Sequence, residues 1–427
     1  MHQLTIPPAP LAALWLLERA GYPAYIVGGC VRDALMGRTP HDWDVTTAAK
    51  PDQMLKIFGA SGFKTIPTGL AHGTVTLIVR GEPIECTTYR VDGAYTDARH
   101  PDSVHFTDRI TDDLGRRDFT VNAMACRLPD LAATDVIPSE PRTLDVDALD
   151  VVDPYGGRDD LEKHLLRCVG DPATRFTEDA LRMLRAVRFA VQLDFALDGA
   201  TEAALAEKAD AIAHVSAERI ASELCRMLEG KTPSRGLDIM SRTGLLDRVL
   251  PLPKNPYFTE NSALFAAVDA LPRDAMLRLS LLLCGEDEEG AKARCRALKL
   301  STKQTDAVAT CIAALSLPAP ETDADLRRYM ARVGAHTDGA LLLSAACGML
   351  RNADEQIGRC DVIRARGDCL CIADLAVDGR DLMTELKLRG SDIGHTLAAL
   401  LAAVLDDPEK NEREGLLRLA REMGKNI

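Results

Sequence analysis

His41-Asp42-Trp43-Asp44-Val45-Thr46-Thr47, with Gly28-Gly29-Cys30-Val31-Arg32-Asp33 just before it, decides how this chain is read. Residues two apart on a strand point to one face, so a strand through this stretch puts Asp42 and Asp44 together and Trp43 opposite. Paired carboxylates are the donors that a hard cation such as Mg²⁺ takes. Upstream, Ala24-Tyr25-Ile26-Val27 reads as a short apolar strand, followed by Gly28-Gly29 and a helical pattern from Val31 to Met36. A glycine turn opening a helix exposes backbone N–H groups beside the positive end of the dipole, a phosphate cradle. Each feature is common alone. In the order strand, Gly-Gly, helix, strand, they point to transfer of a nucleotide. The dipeptide His41-Asp42 also suits a His/Asp metal hydrolase, but no upstream His and downstream Asp stand at a matching spacing.

These residues resemble the head of the class II tRNA nucleotidyltransferase and poly(A) polymerase family. Further segments match in the family's order: Arg116-Arg117-Asp118-Phe119-Thr120-Val121-Asn122-Ala123, Asp153-Pro154-Tyr155-Gly156-Gly157, Glu178-Asp179-Ala180-Leu181-Arg182 and Ser216-Ala217-Glu218-Arg219-Ile220. One short motif is weak evidence and several in order are strong. The resemblance spans residues 24 to 228, about half the chain.

Composition sets the frame. A length of 427 residues suggests roughly three domains. Hydrophobic residues at 46% and charged residues at 27% suit a globular protein. No apolar run approaches the ~20 residues of a membrane span. Met1 to Pro7 lacks the basic start and apolar core of a signal peptide, so a cytoplasmic protein is expected. The twelve cysteines contain no Cys-x-x-Cys and read as reduced core residues. A net charge of −13 is unusual for a nucleic-acid protein and implies a localised RNA footprint.

Taken in order, the chain opens with a helix from Pro10 to Ala20. After the Asp pair comes a helix around 51–58. Then Thr74 to Val79 and Ile84 to Tyr89 form a strand pair. Glu85 on the second strand either faces the Asp pair as a third carboxylate or faces solvent. Residues 90 to 115 lack periodicity and read as one long loop. In the family it resembles, a flexible loop here is needed for adding the terminal A. Arg116, Arg117 and Asp118 suit phosphate and ribose hydroxyls, or a surface ion-pair cluster. Residues 129 to 150 look like an insertion or hairpin.

From Asp159 onward the pattern is helical. Thr177 is a candidate N-cap, which would place Glu178 and Asp179 in a first helical turn with Arg182 on the same face. An intrahelical ion pair explains that spacing. So does base selection. An Asp accepts from an exocyclic amino group and an Arg donates to ring nitrogen and carbonyl, so together they mimic a pairing partner for C or A. The resemblance implies this role for Asp179 and Arg182, with Glu178 orienting Arg182. Arg185 and Arg188 extend a basic stripe toward triphosphate or RNA, or line a solvated face. Arg219 reads as a structural buttress. Farther on, Pro318-Ala319-Pro320 is the best linker candidate. An apolar helix from Thr396 to Leu405 resembles the family's tail, with Arg380, Lys387 and Arg389 as candidate RNA contacts.

The expected fold is α+β: a small mixed-sheet, polymerase-β-like nucleotidyltransferase head (1–152), then a helical neck (153–230), body (231–320) and tail (321–427). The resemblance implies template-independent addition of CCA to tRNA 3′ ends from CTP and ATP. Asp42 and Asp44, with Glu85 as a further candidate, would hold two Mg²⁺ ions. Gly28, Gly29, Arg32, Arg117, Asp118, Asn122, Asp179, Arg182, Arg185 and Arg188 would hold the nucleotide. A poly(A) polymerase and a CC-adding enzyme are the rivals within the family. A short mixed-charge C-terminus weighs against the first, and the 90–115 loop against the second.

Overall fold

The computed structural model describes residues 3–93 and 103–423. They form two compact units, Met1–Gly230 with Arg235–Pro251, and Lys231–Ser234 with Leu252–Ile427. This division is coarser than the four expected segments, because head and neck fall in one unit.

The first unit begins with strand β1 (Gln3–Ile6) and helix α1 (Pro8–Arg19). The helix starts two residues before the expected Pro10. Pro7 is extended and Pro8 occupies the first turn, where its missing N–H costs nothing. Then come β2 (Ala24–Val27), α2 (Gly29–Leu35), β3 (Asp44–Thr47), α3 (Pro51–Ala60), β4 (Lys64–Gly69), β5 (Thr74–Val79), β6 (Glu82–Thr88), β7 (Arg90–Asp92), β8 (Val104–Phe106), α4 (Ile110–Gly115), β9 (Ala125–Arg127), β10 (Arg142–Asp145) and β11 (Asp150–Val152).

Seven of these strands make one mixed sheet in the order β11-β9-β2-β3-β6-β5-β4. Every neighbouring pair is antiparallel except β3 with β6. Helices α1 and α3 pack on the sheet, where Leu14, Leu17, Phe58, Ile26, Val45 and Leu77 are buried.

Three expectations change here. Only Asp44 lies on a strand; Asp42 and Trp43 precede it. The ladder ends at Val27↔Asp44 because the next residue of the partner, Gly28, turns away at φ 83°. The segment 90–115 is not one loop. It carries the antiparallel ribbon β7–β8 and helix α4, while residues 94–102 of the expected A-addition loop lie outside the described residues. The alternation at 142–145 is a strand but not half of a local hairpin. It pairs with β1 at the start of the chain, Gln3↔Asp145 to Ile6↔Arg142.

The neck follows as α5 (Gly157–Glu162), β12 (Leu165–Leu166), α6 (Pro172–Glu178), α7 (Leu181–Leu193), β13 (Ala196–Leu197), α8 (Gly199–Lys208) and α9 (Ala217–Leu228). Thr177 is not an N-cap. It sits inside α6, whose cap is Asp171, and its hydroxyl donates to the Ala173 carbonyl. Ser216 does hold the N-cap position of α9, without a side-chain capping bond.

The second unit is helical among its described residues, from Asn261–Ala270 to Arg413–Met423. Pro318-Ala319-Pro320 lies inside it, joining the helices Thr302–Ala314 and Asp323–Val333. The expected apolar tail helix runs Ser391–Asp406 and buries Leu397, Leu400 and Val404 against Leu382 and Leu416. All twelve cysteines are free thiols and only Cys371 is exposed. No helix of the described residues is long and apolar enough to cross a membrane.

The close approach of α5 to the head is testable. A Cβ at Gly157 would lie 2.4 Å from the Thr120 carbonyl oxygen and 3.0 Å from Met124 Sδ, whereas one at Gly199 meets nothing within 4 Å. Gly157→Ala is expected to cost on the order of 1–3 kcal/mol through overpacking. Gly199→Ala should stay within about 0.5 kcal/mol. Thermal melts of the two variants check the contrast.

Candidate functional site

The site begins where β2 ends. Gly28 adopts φ 83°, and its N–H donates to the Met124 carbonyl at 3.0 Å. Glycine is required there by conformation, and a Cβ would also crowd the end of Arg117, 2.9 Å from Nη1. The helix it opens has seven residues, so its dipole adds little and Arg117 supplies the nearer positive charge.

Asp44 starts β3 beside this turn, and the parallel register sets Glu85 of β6 directly alongside it. The carboxyls of Asp42 and Asp44 are both exposed. That of Asp44 is pushed above its ordinary range by desolvation, opposed by Arg117 and reinforced by the negative charges of Glu85 and Asp42. The all-oxygen donor set fits Mg²⁺. Among the described residues no three or more His, Cys, Asp or Glu side chains already form a closed cage. Mg²⁺ ordinarily uses one or two carboxylates plus substrate phosphates, so a carboxylate pair suffices. The neighbouring Cys30 thiol is not a competing nucleophile, because burial and Asp44 push it up to about 12.

The segment 116–122 supplies the next wall. Its arginines are ion-paired, but not at a surface. Asp113, fully buried, accepts from Arg116 Nε at 2.9 Å and from Arg117 Nη2 at 3.5 Å. Arg117 Nε is buried without a hydrogen-bond partner. Asp118 is 8% exposed. Its Oδ2 accepts from Arg185 Nε at 2.8 Å, and its Oδ1 from Asn122 Nδ2 at 3.4 Å. Burial alone would raise this carboxyl, yet Arg185, Arg182 and Asn122 hold it below the ordinary range. Asn122 Oδ1 in turn accepts from Arg32 Nη1 at 2.7 Å. Arg32 is buried, paired with Asp33 at 2.7 Å and stacked 5.5 Å from the Phe189 ring. It braces the wall.

The neck contributes a second wall at the break between α6 and α7. Asp179 stands in that break. Its Oδ1 accepts from the Leu181 N–H at 3.0 Å, and its Oδ2 from Arg219 Nη2 at 2.8 Å. Arg182 donates from Nη1 to Glu178 Oε2 at 2.5 Å and from Nη2 to the Arg116 carbonyl at 3.0 Å. Glu178 does hold Arg182, although it does so across the helix break and with Arg175 bound to the same oxygen at 2.9 Å. Each carboxylate oxygen accepts twice and a guanidinium has five N–H donors, so both Asp179 and Arg182 retain capacity for a ligand.

Arg185 and Arg188 form neither a solvated face nor an unpaired stripe. Arg188 is 6% exposed and bound through Nε to Glu223 Oε2 at 2.5 Å. The missing acid comes from α9, 35 residues on, where intrahelical spacing cannot show it. The signal was available in another form: Glu223 lies between the inward Ile220, Leu224 and Met227, an acid on an apolar helix face. Asp113 and Arg175 were also missed; neither lies within a quoted motif.

Residues 24–167 match the poly A polymerase head domain, 194–255 the probable RNA and SrmB-binding site of polymerase A, and 274–420 the tRNA nucleotidyltransferase domain 2. The CCA-adding enzyme of Geobacillus kaustophilus strain HTA426 is 34% identical over 403 residues, 93% of this chain and 92% of that protein. That of Lactobacillus helveticus strain DPC 4571 is 33% identical over 413 residues, 95% and 94% of the two. The crystal structure of the Bacillus stearothermophilus CCA-adding enzyme in complex with CTP superposes with a TM-score of 0.76 at 30% identity, covering 99% of this chain and all of the other. With carboxylates, glycine turn and neck wall assembled in one unit and relatives matched over nearly the whole chain, this chain belongs to the CCA-adding tRNA nucleotidyltransferase family.

Proposed function

We propose that this enzyme adds C, C and A to the 3′ end of tRNA, using CTP and ATP without a nucleic-acid template. The observation that carries the reading is the neck wall, where Asp179 and Arg182 are each fixed by a second charged residue and each keep bonding capacity. Asp179 accepts from the exocyclic amino group of C or A. Arg182 donates to the adjacent ring nitrogen of either base and, in C, also to the carbonyl beside it. U offers no amino group there, and G carries a carbonyl at that position, so both leave a polar group of the site unpaired.

Asp42 and Asp44 hold Mg²⁺ in this reading, with Glu85 beside them. Held by these carboxylates, Mg²⁺ would supply the Lewis acidity that lowers the pKa of a hydroxyl and the positive charge that offsets a triphosphate, as in two-metal sites. Arg117 and the Gly28-Gly29 backbone receive phosphates. Asp118 and Asn122 hold the ribose hydroxyls, held in turn by Arg185 and Arg32.

The direct test extends tRNA lacking CCA, with Mg²⁺ and CTP alone, ATP alone or both. Two additions with CTP, and a third only with both, support the reading. Stopping at two with both makes it a CC-adding enzyme, and a long ladder with ATP alone makes it a poly(A) polymerase. In the same assay Asp42→Ala should lose roughly a thousandfold or more in rate, the scale of removing a principal charge stabiliser. Its melting profile should match the parent, because Asp42 is exposed.

Base choice has its own readout. Asp179→Asn turns an acceptor into a partial donor. It should cut the preference for CTP and ATP over UTP roughly a hundredfold. An unchanged preference would remove Asp179 from the base site.

Acid should act on Asp118. Its folded pKa is depressed, so its contribution to stability is full above the ordinary value near 3.8 and is lost as pH falls through the lower folded value. Asp118→Asn should therefore melt below the parent at pH 7, by roughly 3 kcal/mol for one broken partner of a buried pair. The two stability curves should converge as pH falls below 4. Parallel curves would show that Asp118 is not ionised in the fold.

A further inference from the structure

Around Phe189 of α7 the structure gathers more charge than the proposed function uses. The ring is 7% exposed, with Phe119 edge-on at 5.8 Å. Guanidinium carbons of Arg188, Arg185 and Arg32 lie 3.8, 5.4 and 5.5 Å from its centroid. Three cations on one ring repel one another unless anions separate them. Asp33 meets Arg32, Asp118 meets Arg185, and Glu223 meets Arg188. The group is neutral as it stands, three charges of each sign.

Glu223 differs from the other two anions because it serves two cations. Its Oε2 binds Arg188 Nε at 2.5 Å and its Oε1 lies 3.9 Å from Arg185 Nη1. Arg185 is in turn the main partner of Asp118, through Nε at 2.8 Å and Nη2 at 2.6 Å. A continuous line of opposite charges thus runs from α9 through α7 to the ribose wall. Glu223 is 5% exposed, so no solvent counter-ion replaces it. Without its charge, Arg188 and Arg185, three residues apart on one helix, repel each other, which displaces Arg185 from Asp118.

We infer that Glu223 is a positioning residue for recognition of the nucleotide's ribose, acting through Arg185 on Asp118. The inference rests on the ribose role proposed for Asp118 above. Glu223 touches no substrate. It fixes the guanidinium that fixes the carboxylate. Its loss therefore weakens discrimination at the 2′-hydroxyl, while base choice, set by Asp179 and Arg182, stays as it was.

The test compares kcat/KM for CTP and 2′-deoxy-CTP in the parent, Glu223→Gln and Asp118→Asn, on tRNA lacking CCA. The expected result is a ribose preference reduced about tenfold in Glu223→Gln, mainly through KM for CTP, with the CTP-over-UTP preference unchanged. A ribose preference that falls in Asp118→Asn but not in Glu223→Gln overturns the inference and leaves the Asp118 reading standing. A preference unchanged in both overturns the Asp118 reading and this one with it. Should Glu223→Gln fail to fold, Glu223→Asp keeps the charge but withdraws it by one methylene. It is expected to lower the ratio by a smaller factor, and an unaltered ratio there also overturns the inference.

Discussion

A carboxylate as buried as Asp118 stays ionised only where the protein supplies its counter-charge. That requirement joins two elements the sequence keeps 67 residues apart. Arg185 of the neck meets Asp118 of the head. Removing either partner leaves a charge in low dielectric, which is why the two walls of the site cannot drift independently. The constraint then propagates. Arg185 needs Glu223 to coexist with Arg188, and Asp118 orients Asn122, which receives Arg32. Head and neck consequently fall in one compact unit although the motifs read as two segments.

The same unit keeps its other acids open. Asp42 and Asp44 are exposed, and nothing but Arg117 offsets the like charges around Asp44. Buried pairs hold the frame, while these surface carboxylates are left largely unneutralised. The single parallel neighbour pair in the sheet makes this possible. It brings Glu85 level with Asp44, where residues side by side on adjacent strands share a face.

What could be read from sequence follows the range of the interaction. The glycine turn and strands β2, β5 and β6 depend on local sequence and were legible, whereas Asp42 proved to precede the strand on which Asp44 lies. Strand β4 was not, because Pro67 and Gly69 interrupt it and its ladder shifts register at Ile66. Of the two readings for 129–150, the hairpin fails because the partner of strand β10 is β1 at the start of the chain. The placement of Thr177 as a cap failed at the break after Glu178, where Asp179 is extended and bonds the next helix instead. Arg188 looked unopposed because its acid sits on another helix. For β10 and Arg188 a partner distant in sequence decided what propensity left open.

The acidic net charge also resolves at this level. A count of −13 treats every arginine as available, yet several of the second unit are struts: Arg327 pairs with Asp368, Arg359 with Asp323, Arg364 with Asp338 and Arg413 with Asp381. A guanidinium already neutralised at 2.7 Å offers a phosphate little. Arg380, Lys387 and Arg389 are exposed and take part in none of the described ion pairs. Phosphates respond to such local, unpaired cations rather than to the total. An acidic chain of this design presents its few exposed, unpaired cations as local positive points, while its overall repulsion discourages coating along any polyanion.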